Sequence, residues 1–566
     1  MVSSFSLALT FLGTIFNSLV DDIKKTNLPG AVIPFDPESS FIQGNILLFD
    51  GGRVDEYLGI PYAKPPVGKL RFKPPVPIDT SVYGGRFLAI HKANSCYQKN
   101  KATGIKNIDI FYPKNNISED CLQLNIWVPE KRTGAVIIFI HGGEFTYGSG
   151  SLDVFNGSYL AMKSQAIIVN VNYRLGAFGF SGLHDAKTIP VNMGLLDQQV
   201  AIKWVYERIG AFGGNQNQIT LLGHGSGAIC AAAHLFSRQS GRYIRRAILN
   251  SGSFKSHWGI MKHTTIVSNT KSLAKKLKCS TETNSEIATC FEKANALDIV
   301  QQTEKLRMES NKLFNVPFVI SEHCNGFFEG SFMEKYENEE FMTNYEAMVG
   351  RSKDQGSLYL LNYIIRTNKK CKIEKIKSSK ECTMDKKKLE GLYKTVYKQF
   401  SISKAMRKKF VSSYSSFKSS NKIASAILSD IYFECDWLKF AKDHSEMSEE
   451  NFYSYVFDYI PSSQVLPSWV GVTENSNIEL IFGYPFRKPS YYDKKRLFED
   501  KKTSFRFMEY IGKFAAKGEP IPGWEPFRGD EIKSAIISFQ NDSEIKKYKI
   551  FRENPRCKFY LKNPFY

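Results

Sequence analysis

Acidic residues are in short supply: 56 Asp and Glu stand against 76 Lys and Arg, a formal charge of +20 over 566 residues. That excess is beyond what solubility requires and points to polyanionic partners. Its densest cluster has no interleaved aromatics and no nucleic-acid motif accompanies it, which sets nucleic acid aside. Neither Cys-x-x-Cys nor His-Glu-x-x-His occurs, so no metal or cofactor is implied. No apolar run beyond Phe16 reaches the ~18 residues of a spanning helix, and no transmembrane anchor is expected. Linkers rich in Pro, Gly and Ser are missing, as are internal repeats, which excludes strings of small modules and solenoids. The last of nine histidines is His444, so nothing downstream supplies an imidazole base. His444 itself sits in a polar Lys-Asp-His-Ser run and reads as a surface residue.

What is present begins with an apolar run over residues 5–16, the length of a signal-peptide core. Residues 1–20 are expected to be a cleaved signal. A short buried helix is the alternative, because no Lys or Arg precedes the run. Ten cysteines in an exported chain imply disulfides, and Asn116, Asn156 and Asn541 head glycosylation sequons. Continuous apolar runs at 136–140 and 166–171 predict strands covered on both faces. Residues 201–209 and 271–277 have helical spacing. Apolar runs and helical stretches alternate throughout, giving one α/β domain over 24–560 and a short tail at 561–566.

One segment carries the functional argument. Ile219-Thr220-Leu221-Leu222 is a β-type run leading into Gly223-His224-Gly225-Ser226-Gly227-Ala228, and residues 229–235 read as a buried helix. Strand, sharp glycine turn and helix form the context of a nucleophile elbow, written Gly-x-Ser-x-Gly. Here Gly225 holds the tip. Ser226 comes one residue late, flanked at that spacing by His224 and Ala228.

The wider sequence identifies the family. Residues 59–68, Gly-Ile-Pro-Tyr-Ala-Lys-Pro-Pro-Val-Gly, with Leu70-Arg71-Phe72, resemble the N-terminal signature of type-B carboxylesterases. Ser118-Glu119-Asp120-Cys121-Leu122-Gln123-Leu124-Asn125 is similar to a second signature, and His141-Gly142-Gly143-Glu144-Phe145 to the oxyanion-hole turn. Further matches are Asn172-Tyr173-Arg174-Leu175-Gly176 and Asn192-Met193-Gly194-Leu195-Leu196-Asp197-Gln198. Leu152-Asp153-Val154-Phe155-Asn156-Gly157, with Ser251-Gly252-Ser253 and Trp258, favours the cholinesterase branch. The resemblance runs from about residue 44 to 557. It implies an α/β-hydrolase fold: a large, mixed, mostly parallel sheet flanked by helices.

It also implies where the chemistry should lie. Acyl transfer needs a nucleophile, a base and an acid that orients the base. The resemblance puts Gly225, Glu474 and Gln355 at those three places, with Asp354 beside the last as a loop cap. Oxyanion-hole donors would come from Gly143, Glu144 and Ser226. The ligand pocket would include Phe111, where a choline-stacking tryptophan is usual, His224 in place of a glutamate, and Trp258. Disulfides implied by the same resemblance are Cys96–Cys121, Cys279–Cys290 and Cys435–Cys557. Cys371 and Cys382 lie outside the family pattern and suggest a fourth, local bridge, while Cys230 reads as a buried hydrophobe.

The expectation is therefore a secreted cholinesterase-like protein without the Ser-Glu-His triad that acts by binding. The alternative is a weakly active carboxylic ester hydrolase using Ser226. The partner expected is an extracellular protein or a polyanionic glycan, met in part by nine lysines over residues 369–388.

Overall fold

The computed structural model of the chain describes residues 24–25, 31–35, 40–100, 106–185, 187–254, 256, 258–309, 313, 315–324, 326–372, 376, 380–538, 548–551 and 554–560. The segment 1–20 expected to be a signal, the tail 561–566 and Asn541 lie outside these residues.

The short apolar runs become the middle of a twelve-stranded sheet. Its strands are β1 (Lys24–Lys25), β2 (Asn45–Phe49), β3 (Gly52–Pro61), β4 (Gln123–Pro129), β5 (Val136–Ile140), β6 (Ile167–Val171), β7 (Ile219–His224), β8 (Arg246–Asn250), β9 (Glu346–Ser352), β10 (Phe452–Phe457), β11 (Ile532–Ile537) and β12 (Tyr548–Phe551). Their order across the sheet is β1-β2-β3-β4-β6-β5-β7-β8-β9-β10-β11-β12. From β6 to β11 every neighbouring pair is parallel, while β1 to β4 and β12 pair antiparallel at the two ends. This is the expected mixed, mostly parallel sheet of an α/β-hydrolase.

Burial explains why the central strands are uniformly apolar. On β5, Ile138 and Ile140 enter one core while Ile137 and Phe139 enter another on the opposite face. The first core also takes Ile202 and Val205 of α1 (Met193–Arg208), the Ala-rich α2 (Ser226–His234) and Leu360 further along the chain. The second takes Phe507, Ile511 and Phe514 of the long Leu497–Lys517 helix. Each such side chain contributes about 1.5–3 kcal/mol of burial, so the sheet is held from both sides.

Several of the family-like motifs prove to be ties between elements. Arg71 Nε donates to Glu119 Oε2 at 2.7 Å, joining two signatures far apart in sequence. Arg174 Nη2 and Nε reach the two carboxylate oxygens of Asp197 at 2.7 and 2.8 Å, with both residues buried. That bidentate pair fixes the loop after β6 onto α1, and a fork of this geometry suits Arg and not Lys.

Between α1–α2 and the C-terminal strands run α3 (Ala296–Glu309), α4 (Gly356–Thr367), α5 (Lys386–Gln399), α6 (Lys404–Ser412), α7 (Ser420–Ser429) and α8 (Cys435–Met447). A π-helical turn, Asp430–Glu434, joins α7 to α8. Four disulfides close the structure: Cys96–Cys121, Cys279–Cys290, Cys371–Cys382 and Cys435–Cys557. Cys230 and Cys324 are free thiols, both buried.

His444 corrects a sequence expectation. It is buried at 1% exposure, its Nδ1 2.7 Å from Tyr345 Oη and its ring stacked 4.2 Å from Phe440. The polar neighbours misled. On α8, positions 437, 440 and 444 share one face, and that face carries Trp437 and Phe440 inward.

Candidate active site

Parallel strands deliver their carboxyl ends to one edge of a sheet, and that edge is where α/β proteins place ligands. The turn after β5 brings Gly143 and Glu144 there, the end of β7 brings His224 and Gly225, and the end of β9 leads to Gln355. Glu474 arrives on the segment after β10. It opens the 3-10 turn Glu474–Ser476, which Thr473 and Ser476 close with a capping box.

Gly225 sits at the cap of α2 with φ +54° and ψ −120°, a backbone region costly for a residue with a Cβ. Gly227, in the first turn, lies so close to the end of β5 that a Cβ would overlap the Ile140 carbonyl oxygen. These two glycines let β5, β7 and α2 meet.

Glu474 fills the space above Gly225. A Cβ built at position 225 would stand 2.6 Å from Glu474 Oε1, inside van der Waals contact. The other carboxyl oxygen accepts from Tyr359 Oη at 2.9 Å. Glu474 is 7% exposed. Burial pushes its pKa up to about 8, with Glu144 adding to the rise and the Tyr359 hydrogen bond opposing it. At neutral pH this carboxyl is largely protonated, a neutral acid and not a base.

Gln355 does not approach in the same way. Its Oε1 turns back to accept from Ser352 N at 3.0 Å, at the end of its own strand. Asp354 is the residue that grips the Glu474 segment. Its carboxylate accepts from Val472 N at 3.1 Å and pairs with Lys422 Nζ at 3.0 Å, and its N–H donates to Val472 O at 2.9 Å. The loop-capping role read from sequence is the one observed.

His224 is part of a neutral network. Asn250 Nδ2 donates to its Nδ1 at 3.1 Å, and its Nε2 lies 3.1 Å from Asn475 Oδ1. Both contacts are satisfied by one tautomer, with the proton on Nε2. Burial holds its pKa down to about 4, so the ring is uncharged at neutral pH. Asn250 and Asn477 exchange a pair of side-chain hydrogen bonds at 2.8 and 3.0 Å, pinning the Glu474 segment to β8.

On the oxyanion side, Gly143 and Glu144 have left-handed φ of 119° and 55°. Ser226 is buried, and its Oγ accepts from Phe145 N at 3.3 Å. The Glu144 carboxylate is ion-paired with Arg307 on α3, which also lies 3.8 Å from Glu304. The positive partner that a carboxylate needs in this setting comes from a distant helix.

A cavity of about 460 Å³ opens over this edge, with Tyr112, Glu144, Tyr147, Arg307, Tyr359 and Tyr432 among its walls. A second, of about 160 Å³, shares Tyr112 and Tyr147 and takes in Phe111 and Glu479. Burial likewise pushes the pKa of Glu479 up to about 8. Gly225, Ser226 and Glu474 line neither cavity; Tyr359, whose hydroxyl bonds Glu474, lines the larger one. Trp258 is buried with Nε1 donating to Tyr432 O at 2.9 Å and packs 6.2 Å from Phe145, behind the wall and not in it.

Sequence reasoning missed Tyr359, Tyr147 and Arg307. Tyr359 lies four residues after Gln355 on α4, the one signal that could have found it. Of the sequons, Asn116 is exposed. Asn156 is half-buried and engaged, with Nδ2 donating to Glu56 Oε2 at 3.3 Å and Oδ1 accepting from Ser158 N at 3.1 Å.

Residues 37–560 match the family model described as "Carboxylesterase family". The chain is 31% identical to Cholinesterase of Mus musculus over 523 residues, covering 90% of this chain and 83% of that protein. It is 30% identical to Acetylcholinesterase of Bungarus fasciatus over 505 residues, 87% of this chain and 80% of that one. Acetylcholinesterase of Danio rerio is also 30% identical, over 83% of this chain and 77% of its own length. The chain belongs to the carboxylesterase family, in its type-B, cholinesterase-like group.

Proposed function

We propose that this protein has exchanged ester hydrolysis for binding, and that it works outside the cell. The observation that carries the reading is the fit of Glu474 to Gly225. A serine hydrolase needs a hydroxyl at the elbow tip and an imidazole to take its proton. Here the tip has no side chain, and a protonated carboxyl stands where one would be. Gln355 is occupied with its own strand, so nothing orients a base. The Tyr359 contact supports the same reading, because its hydroxyl holds the Glu474 carboxyl over position 225. Four disulfides favour an oxidising, exported setting.

The larger cavity, floored by tyrosines and flanked by the Glu144–Arg307 pair, is the candidate ligand site. Phe111, in place of tryptophan on the wall of the smaller cavity, is a weaker partner there for quaternary ammonium. The test is hydrolysis of acetylthiocholine and p-nitrophenyl acetate by purified protein. Turnover at the background rate supports the reading. Turnover that disappears in Ser226→Ala refutes it and revives the ester-hydrolase alternative.

A further inference from the structure

The positive charge has a centre, and it is not at the old catalytic edge. Residues 391–429 carry eight Lys or Arg and no Asp or Glu. On α5 and α6, Lys394, Lys398, Lys404, Arg407, Lys408 and Lys409 are exposed. None of the six has an ion-pair partner among the described residues. By contrast, Lys388 of the 369–388 stretch is tied to Thr383 O at 2.9 Å and to Asp385 at 3.5 Å. Lys369, Lys370, Lys372, Lys386 and Lys387 of that stretch are exposed too, but Glu381 and Asp385 stand among them, and residues 373–375 and 377–379 lie outside the described residues.

The two helices form one surface. Phe410 of α6 packs 6.0 Å from Tyr393 and 5.6 Å from Tyr397 of α5, and the Arg407 guanidinium lies 4.8 Å over the Tyr397 ring. Beneath them Phe410 meets Phe559 at 5.3 Å, in the turn anchored by Cys435–Cys557. Held this way, the charges lose little freedom on binding.

The same packing selects the partner. Leu389, Leu392 and Val396 of α5 and Phe410 of α6 are all buried. Val411 is the one large apolar side chain that the pair leaves exposed, too little to insert into a bilayer. Tyr393 and Tyr397 are engaged with Phe410, and Tyr397 is also covered by Arg407, which leaves no platform for stacking bases. What remains is a mainly cationic face on a disulfide-closed protein, with Glu390 of α5 the one exposed acid among its lysines. We propose that the face formed by α5 and α6 binds a linear sulfated polysaccharide, its lysines and arginine meeting successive sulfates. This inference does not rest on the loss of the triad.

The experiment uses the full chain and heparin as probe. Lys404→Gln/Arg407→Gln/Lys408→Gln/Lys409→Gln is compared with Lys131→Gln/Lys187→Gln/Lys494→Gln/Lys495→Gln, which removes the same charge from other exposed sites. The first variant should lose about tenfold or more in affinity at physiological salt and show a shallower dependence on salt. The second should stay close to wild type. Lys394→Gln/Lys398→Gln, on the neighbouring helix, should move in the same direction as the first and covers the case in which α6 no longer folds. Equal losses in both quadruple variants would overturn the proposal. So would equal binding of desulfated heparin, or capture by phosphatidylserine vesicles in place of heparin.

Discussion

Glu474 and Gly225 act as a pair, and each makes sense of the other. A side chain at 225 would carry the cost of positive φ, about 1–3 kcal/mol, and would press on Glu474 Oε1. Gly225→Ser should therefore destabilise the fold by about that amount in urea denaturation and restore no activity. Combined with Glu474→Ala, its cost should be smaller, with a coupling of about 0.5–3 kcal/mol. Strict additivity would show that the two side-chain positions do not share space. Titration gives a second check. The Glu474 carboxyl rises from an ordinary 4.5 to about 8 on folding. Between those values the folded chain holds a proton that the unfolded chain releases, so stability is full below about pH 4.5 and falls as pH climbs toward 8. Glu474→Gln should flatten that decline in melting temperature, leaving the part due to Glu479. An unchanged profile would mean that the carboxyl is ionised when folded.

At the scale of elements, the disulfides rank themselves. Cys435–Cys557 spans 122 residues and Cys279–Cys290 only 11. In the chain-entropy view the long loop contributes about 5 kcal/mol and the short one about 3. Replacing the first pair by serine should lower the melting temperature more than replacing the second. The reverse order would assign their role to native contacts near Cys279–Cys290. Elements were also where sequence was most legible. Residues 136–140 and 166–171 read as buried strands because both faces of the central sheet are covered, and the glycines at 223, 225 and 227 marked the turn before α2. The cavity was less legible, because Arg307 and Tyr359 come from two helices and Tyr432 from the π-helical turn, which only the fold brings together. His444 was misread for a related reason: its neighbours in sequence are polar, but the residues on its helical face are aromatic.

Over the whole molecule, an α/β-hydrolase architecture and the non-catalytic centre proposed for it coexist without conflict. The long-range ties Arg71–Glu119 and Arg174–Asp197 hold the segments around the sheet whatever happens at its catalytic edge. On the proposed reading, ester hydrolysis would depend on three positions, and those hold glycine, a buried carboxyl with a raised pKa and an amide turned onto its own strand. The most direct test of this account is intact-mass analysis after exposure to a fluorophosphonate probe, with a serine esterase treated in parallel. The account predicts an unchanged mass for this protein and a stoichiometric adduct on the control. A single adduct mapped to Ser226, accompanied by ester turnover that the probe abolishes, would contradict it.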